Sequence, residues 1–203
     1  MSAAPNAPAA MRNRDAILEV LRKEVSGEQQ VLEIGSGTGQ HAVYFAAAMP
    51  QLSWQTSDLA NNHEGINLWL AESGLQNVAP PKLLNVSEPE ECDDRYSAIF
   101  SANTAHIMSK ESVVDMFAYV GQVLQDQGKF LLYGPFRTAG EFLGEGNRRF
   151  DQSLREQDPV MGIRDLEWID SLASQQHLSR ENTYAMPANN LLLVWKADRT
   201  DDD

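Results

Sequence analysis

Glu33-Ile34-Gly35-Ser36-Gly37-Thr38-Gly39-Gln40-His41 is the stretch on which the reading of this chain turns. Just upstream, Val31-Leu32-Glu33-Ile34 is a short apolar run of the kind a buried strand requires. Downstream, Gly39 to Ala48 reads as a helix stopped near Pro50. A glycine loop between a strand and a helix is the setting of a nucleotide-binding turn. Gly35 permits the tight turn, and Gly37 lets a ligand approach the backbone with no Cβ in the way. Gly39 allows close packing as the helix begins, and Ser36 belongs to the same ligand-facing loop. The helix N-terminus adds free N–H groups for a ligand's acceptors.

Two ligand classes compete for such a loop. A dinucleotide fingerprint runs G-x-G-x-x-G/A, whereas position 40 here is Gln. The glycines instead run G-x-G-x-G, preceded by Glu33 at the strand end. That arrangement suits S-adenosylmethionine (SAM), which carries an ammonium and a sulfonium and no phosphate. A carboxylate at the strand terminus can hold its methionine end, directly or through water, and would repel a pyrophosphate. The plainer alternative is that Glu33 only caps the loop. Asp58 closes the next strand, Leu52 to Ser57, at the offset where an acidic residue meets ribose hydroxyls. It could equally cap the following helix.

Working outward, strand and helix patterns alternate. Ile17, Leu18, Leu21 and Val25 predict a helix over 13–25, and 64–72 predicts another, closed by Gly74. Residues 82–86, 97–101 and 130–133 read as strands. Val113, Val114, Phe117, Val120, Val123 and Leu124 form a helical stripe, with Gly128 as its cap. Further helices are expected over 147–157 and 165–176, and closing strands over 178–185 and 191–196 around the turn Met186-Pro187-Ala188-Asn189-Asn190. This alternation implies an α/β fold: a mostly parallel, Rossmann-like sheet with helices on both faces. Residues 1–10 are expected as a flexible tail, 11–197 as a single domain and 198–203 as an acidic tail.

Carboxyl ends of parallel strands face the ligand crevice, which makes Asn103, Thr104 and His106 candidates for the methionine end or the substrate. His106 is the first candidate for a general base and Tyr133 the second. Asn147, Arg164, Asn189 and Asn190 are polar residues that could converge on a substrate. The histidines at 41, 63, 106 and 177 show no metal spacing with the single Cys92, so no metal is expected.

Composition narrows the partners. The chain has 203 residues, 16 basic and 29 acidic, for a net charge of −13. That balance disfavours nucleic acid and anionic lipid, both of which need clustered Lys and Arg. No apolar run approaches a membrane span, and one cysteine excludes an internal disulfide framework. A cytoplasmic protein with a small-molecule or peptide substrate is the expectation; oligomeric state is not legible.

Several segments together resemble a known family. These are Arg12-Asn13, Glu33–His41, Ser101-Ala102-Asn103-Thr104-Ala105-His106-Ile107, Tyr133-Gly134-Pro135-Phe136, Asn147 with Phe150-Asp151, Gly162-Ile163-Arg164-Asp165, and Met186–Asn190. The chain resembles class I SAM-dependent methyltransferases. More closely, it is similar to the family called domain of unknown function 938, whose animal members are termed methyltransferase-like protein 26. The resemblance implies a seven-stranded sheet with an antiparallel last strand, and SAM as cofactor. In that architecture a polar residue ending the third strand often contacts adenine; here it is Asn85, otherwise a turn former. The expected activity is methyl transfer to an unidentified nucleophile. The alternatives are a non-catalytic SAM-binding regulator or scaffold and, further off, an NAD-dependent oxidoreductase.

Overall fold

The computed structural model describes residues 4–27, 29–90 and 93–198. Cys92 and the acidic run from 199 onward lie outside the described residues. In chain order come α1 (Pro8–Glu24), β1 (Gln30–Ile34), α2 (Gln40–Ala48), β2 (Ser53–Asp58), α3 (His63–Ser73), β3 (Val78–Leu83) and β4 (Tyr96–Ala102). Then follow α4 (Lys110–Val123), β5 (Leu124–Gly134), β6 (Phe136–Thr138), β7 (Glu141–Phe142) and α5 (Glu145–Gln157). The chain closes with β8 (Arg164–Asp165), α6 (Leu166–Gln175), β9 (Leu178–Met186) and β10 (Asn190–Ala197).

The main sheet has seven strands in the order β3-β2-β1-β4-β5-β10-β9. The pairs from β3 to β5 are parallel, and β10 runs antiparallel to both β5 and β9. The expected sheet with one antiparallel strand at the chain's end is therefore present. The order reverses beside β1, between β1 and β4, where an open α/β sheet leaves a crevice at its carboxyl edge.

Strand pleat sorts the core. Along β1, Val31 packs with α1 and α2, while Leu32 and Ile34 pack with α4 and α6. The same alternation divides Leu131 and Tyr133 from Phe130 and Leu132 on β5. Both faces are covered, which is why these strands read as unbroken apolar runs. Phe117, Phe130 and Trp195 interlock on one face; Phe45, Trp54 and Phe100 do so on the other.

Four sequence expectations shift. The third strand is 78–83, not 82–86, because Pro80 and Pro81 are tolerated on an edge strand. Gly128 does not cap α4: Leu124 is already extended, and Gly128 lies within β5, where an added Cβ would sit 3.0 Å from the Ser97 carbonyl. A second, three-stranded sheet, β7-β6-β8, was not anticipated, its strands being too short to show periodicity. Finally, α1 takes in residues 8–10 of the tail expected over 1–10. Helix α1 begins at Pro8, and the Trp69 indole donates to the Pro5 carbonyl at 2.7 Å. Asn6 and Ala7 are held by the Gln40 side chain.

Candidate functional site

At the carboxyl ends of β1 to β4 lies a cleft of about 540 Å³. Its walls include Gly35 and Gly37 after β1, Asp58 and Asn62 after β2, Asn85 after β3, and Asn103 and Thr104 after β4. Five residues that the sequence marked for a cofactor thus share one cavity: Gly35, Gly37, Asp58, Asn85 and Asn103.

The loop's shape follows from its glycines. Gly35 has φ +73°, and an added Cβ would lie 2.6 Å from Thr104 Cγ2. Gly37 has φ +58° with open space where its Cβ would be, leaving the backbone approachable. Gly39 packs against the backbone of Ile66, so its closeness serves α3. The loop is stitched to β2 as the amides of Gly35 and Ser36 both donate to the Ser57 carbonyl at 3.0 Å.

Asp58 is buried. Its Oδ2 accepts from the Gly37 amide at 2.7 Å; its Oδ1 accepts from the Leu59 amide at 2.7 Å and from Asn62 Nδ2 at 2.8 Å. It therefore does local capping work and faces the cleft as well. Each carboxylate oxygen has two lone pairs, so acceptor capacity remains. Asn85 is also double: Oδ1 accepts from the Ser87 amide at 3.2 Å in a turn that borders the cleft.

Glu33 departs from expectation. The pleat sends its side chain to the face of Val31, where Oε2 accepts from Ser36 Oγ at 2.9 Å and from the Trp54 indole at 3.1 Å. The carboxyl group is buried and does not line the cleft. Burial pushes its pKa up to about 7; the Trp54 and Ser36 hydrogen bonds oppose this, and the Asp58 charge adds to it. As placed, Glu33 and Ser36 brace the loop from behind.

The residues expected to handle substrate are mostly occupied by the fold. Arg164 is buried, and its guanidinium donates to the carbonyls of Ala105 at 3.0 Å, Val160 at 2.8 Å and Met108. That removes it as a free substrate ligand: it clamps the turn after β4 to the segment before β8. The neighbouring Asp165 pairs with Arg137 at 2.5 Å. Asn147 Nδ2 donates to the Asn189 carbonyl at 2.9 Å, which brings those two residues together at the entrance to α5. Asn190 donates to the Pro187 carbonyl at 3.0 Å. Tyr133 lies on the α1 face of β5, hydrogen-bonded to Asn13 and Asn190, and burial raises its pKa. It is too weakly acidic and too enclosed to act as a base at neutral pH. His106 is buried between Phe150 and Gly134, with its pKa lowered to about 4 by burial and by the Arg164 charge.

Reading the sequence missed part of the cleft. Leu59, Asn62, Met108, Ser109 and Ser112 line it. Asn62 follows Asp58 by one turn, a spacing that could have flagged it. Ser109, the N-cap of α4, was hidden as ordinary capping chemistry.

Residues 4–197 match the family described as protein of unknown function DUF938. The chain belongs to that family. Among solved structures, this DUF938 protein superposes on the S-adenosylmethionine-dependent methyltransferase SibL in its apo form with a TM-score of 0.79 at 17% identity, covering 94% of this chain and 56% of that one. It matches an O-methyltransferase family 2 protein from Planctomyces limnophilus, in complex with apigenin, with a TM-score of 0.79 at 13% identity, covering 93% and 58%. YcgJ from Bacillus subtilis gives a TM-score of 0.71 at 16% identity, covering 94% and 100%. The DUF938 protein thus spans a little over half of the first two and all of the third. At these identities the likeness is one of fold, the Rossmann-like class I methyltransferase fold. Among the described residues no helix is long and apolar enough to cross a membrane.

Proposed function

We propose that this DUF938 protein is a SAM-dependent methyltransferase acting on a small-molecule or peptide-borne nucleophile in the cytoplasm. The observation that carries the reading is the composition of the cleft. Among the described residues its walls hold one carboxylate, Asp58, several amides and hydroxyls, and no lysine, arginine or histidine. A cationic nucleoside fits that set. A pyrophosphate does not: the Gly37 amide, which would face a phosphate, is already given to the Asp58 carboxylate, and the negative charge beside it would repel one. This is the argument against an NAD-dependent oxidoreductase.

Gly35 and Gly37 would pass beside the cofactor, Asp58 would accept from one ribose hydroxyl through the remaining lone pair of Oδ2, and Asn85 and Asn103 would meet its base and methionine ends. When bound, SAM supplies an activated methyl group on a good leaving group. The protein's own task is alignment and exclusion of water. Glu33 contributes through loop shape, not contact. Nucleic acid and membrane stay outside this reading because of the net charge of −13.

Calorimetry with S-adenosylhomocysteine tests the proposal. Binding is expected, with no binding of NAD. Asp58→Asn should weaken it about tenfold or more, the cost of one charge-assisted hydrogen bond. Absence of binding, or preference for NAD, overturns the reading. One observation favours a non-catalytic binding protein: Arg164, Asn147 and Asn190 are spent on backbone carbonyls. Binding without turnover across a broad acceptor screen would support that second reading.

A further inference from the structure

His106 is 6% exposed, yet among the described residues its ring makes no hydrogen bond. No ring nitrogen of His106 is among the fully buried unpartnered side-chain atoms, so the ring keeps an edge open to a bound molecule. The ring sits in the turn whose neighbours Thr104, Ile107 and Met108 wall the cofactor cleft. Phe150 of α5 lies edge-on to it at 5.3 Å. The Gly162 amide donates to the His106 carbonyl at 2.9 Å, and Arg164 ties Val160 to the same turn. Three large apolar side chains on the segments that meet at this turn are left in water: Ile107 at 49% exposed, Phe150 at 43% and Val160 at 50%. Exposed apolar groups beside an accessible polar ring are the make-up of a small-molecule subsite. The two guanidiniums tied to this turn are already engaged: Arg164 is spent on three carbonyls, and Arg155 pairs with Asp151 at 2.8 Å.

We propose that His106, Phe150, Ile107 and Val160 form the methyl-acceptor subsite, and that it takes a neutral aromatic hydroxyl compound whose O–H donates to the His106 ring. The assignment rests on the methyltransferase reading of the adjoining cleft and names its acceptor class. It replaces Arg164 and the three asparagines with an apolar platform over a neutral acceptor atom. Burial and the Arg164 charge keep the imidazole unprotonated, as a hydrogen-bond acceptor must be.

The full chain, with and without S-adenosylhomocysteine, is titrated with 2-naphthol while the imidazole Cε1–H signals are followed by NMR. His106→Asn identifies the His106 signal by its loss. That signal should shift saturably, the Phe150→Ala protein should bind about tenfold more weakly, the scale of one lost aromatic contact, and 2-naphthyl phosphate should not bind. Phe150 is half exposed, so its truncation leaves the fold intact, which circular dichroism verifies. No saturable shift at His106, equal affinity in Phe150→Ala, or equal binding of the phosphate ester overturns the proposal. Calorimetry on the same samples reads S-adenosylhomocysteine separately. Failure of the cofactor reading then appears as lost nucleoside binding, and failure of the subsite as a silent His106.

Discussion

Gly35 shows how one residue couples two strand ends. Its positive φ excludes most side chains, and its missing Cβ is the space that the Thr104 methyl occupies. Gly35→Ala should lower stability by at least about 2 kcal/mol, from left-handed backbone strain plus the clash, and should abolish S-adenosylhomocysteine binding. Urea denaturation and calorimetry check both. Adding Thr104→Ser removes the offending methyl and should restore part of the stability, because the φ strain persists. The sequence marks Gly35 as a turn glycine; it cannot mark Thr104 as the reason, since that contact spans two strands. Glu33 is the converse case. Its type and position looked like a ligand for a cation, but the pleat of β1 turns it toward Trp54.

At the scale of elements, the turn after β4 carries the site, and Arg164 holds that turn. One guanidinium fork satisfies carbonyls on two separate segments, in a way that Lys, with a single nitrogen, cannot reproduce. Arg164→Met should destabilise the protein by about 3 kcal/mol, since it strands one buried and two part-buried carbonyls. Arg164→Lys should fall between the two, as urea midpoints would show. The helices and central strands were legible because their apolar periodicity is strong. The small β7-β6-β8 sheet was not: strands of two or three residues have no period to read. Its ladder is set by the chain around it, with Phe136 opposite Arg164.

For the whole molecule, buried titratable groups set an opposing pH response. Glu33, raised to about 7 when folded, holds a proton that the unfolded chain gives up near 4.5. Its contribution is complete below pH 4.5 and is lost as pH rises through 7. His41 and His106, lowered to about 4, work the other way: the unfolded chain binds their protons near 6.5, so stability falls as pH drops from 6.5 toward 4. Glu33→Gln should remove the loss between pH 5 and 7 while keeping the acid-side loss. Urea midpoints of both proteins across that range check it; equal slopes above pH 5 would refute it. His41 is held by Asn13, which also reaches Tyr133, so this response runs through the contact of α1 with the sheet.

By itself the sequence determined the alternating α/β order, the glycine loop, and the placing of Asp58 and Asn103 at strand ends beside it. Each of these is written in local periodicity, in backbone permissiveness, or in where a strand must end. Only the tertiary structure decided which polar residues stay free. Glu33, Arg164, Asn147 and Asn190 carry chemistry in the sequence and are spent on the protein itself in the fold. Hydrogen bonds to distant carbonyls and indoles leave no trace in neighbouring residues. His106 went the other way: three segments that meet only in the folded chain bury it and leave its ring without a partner.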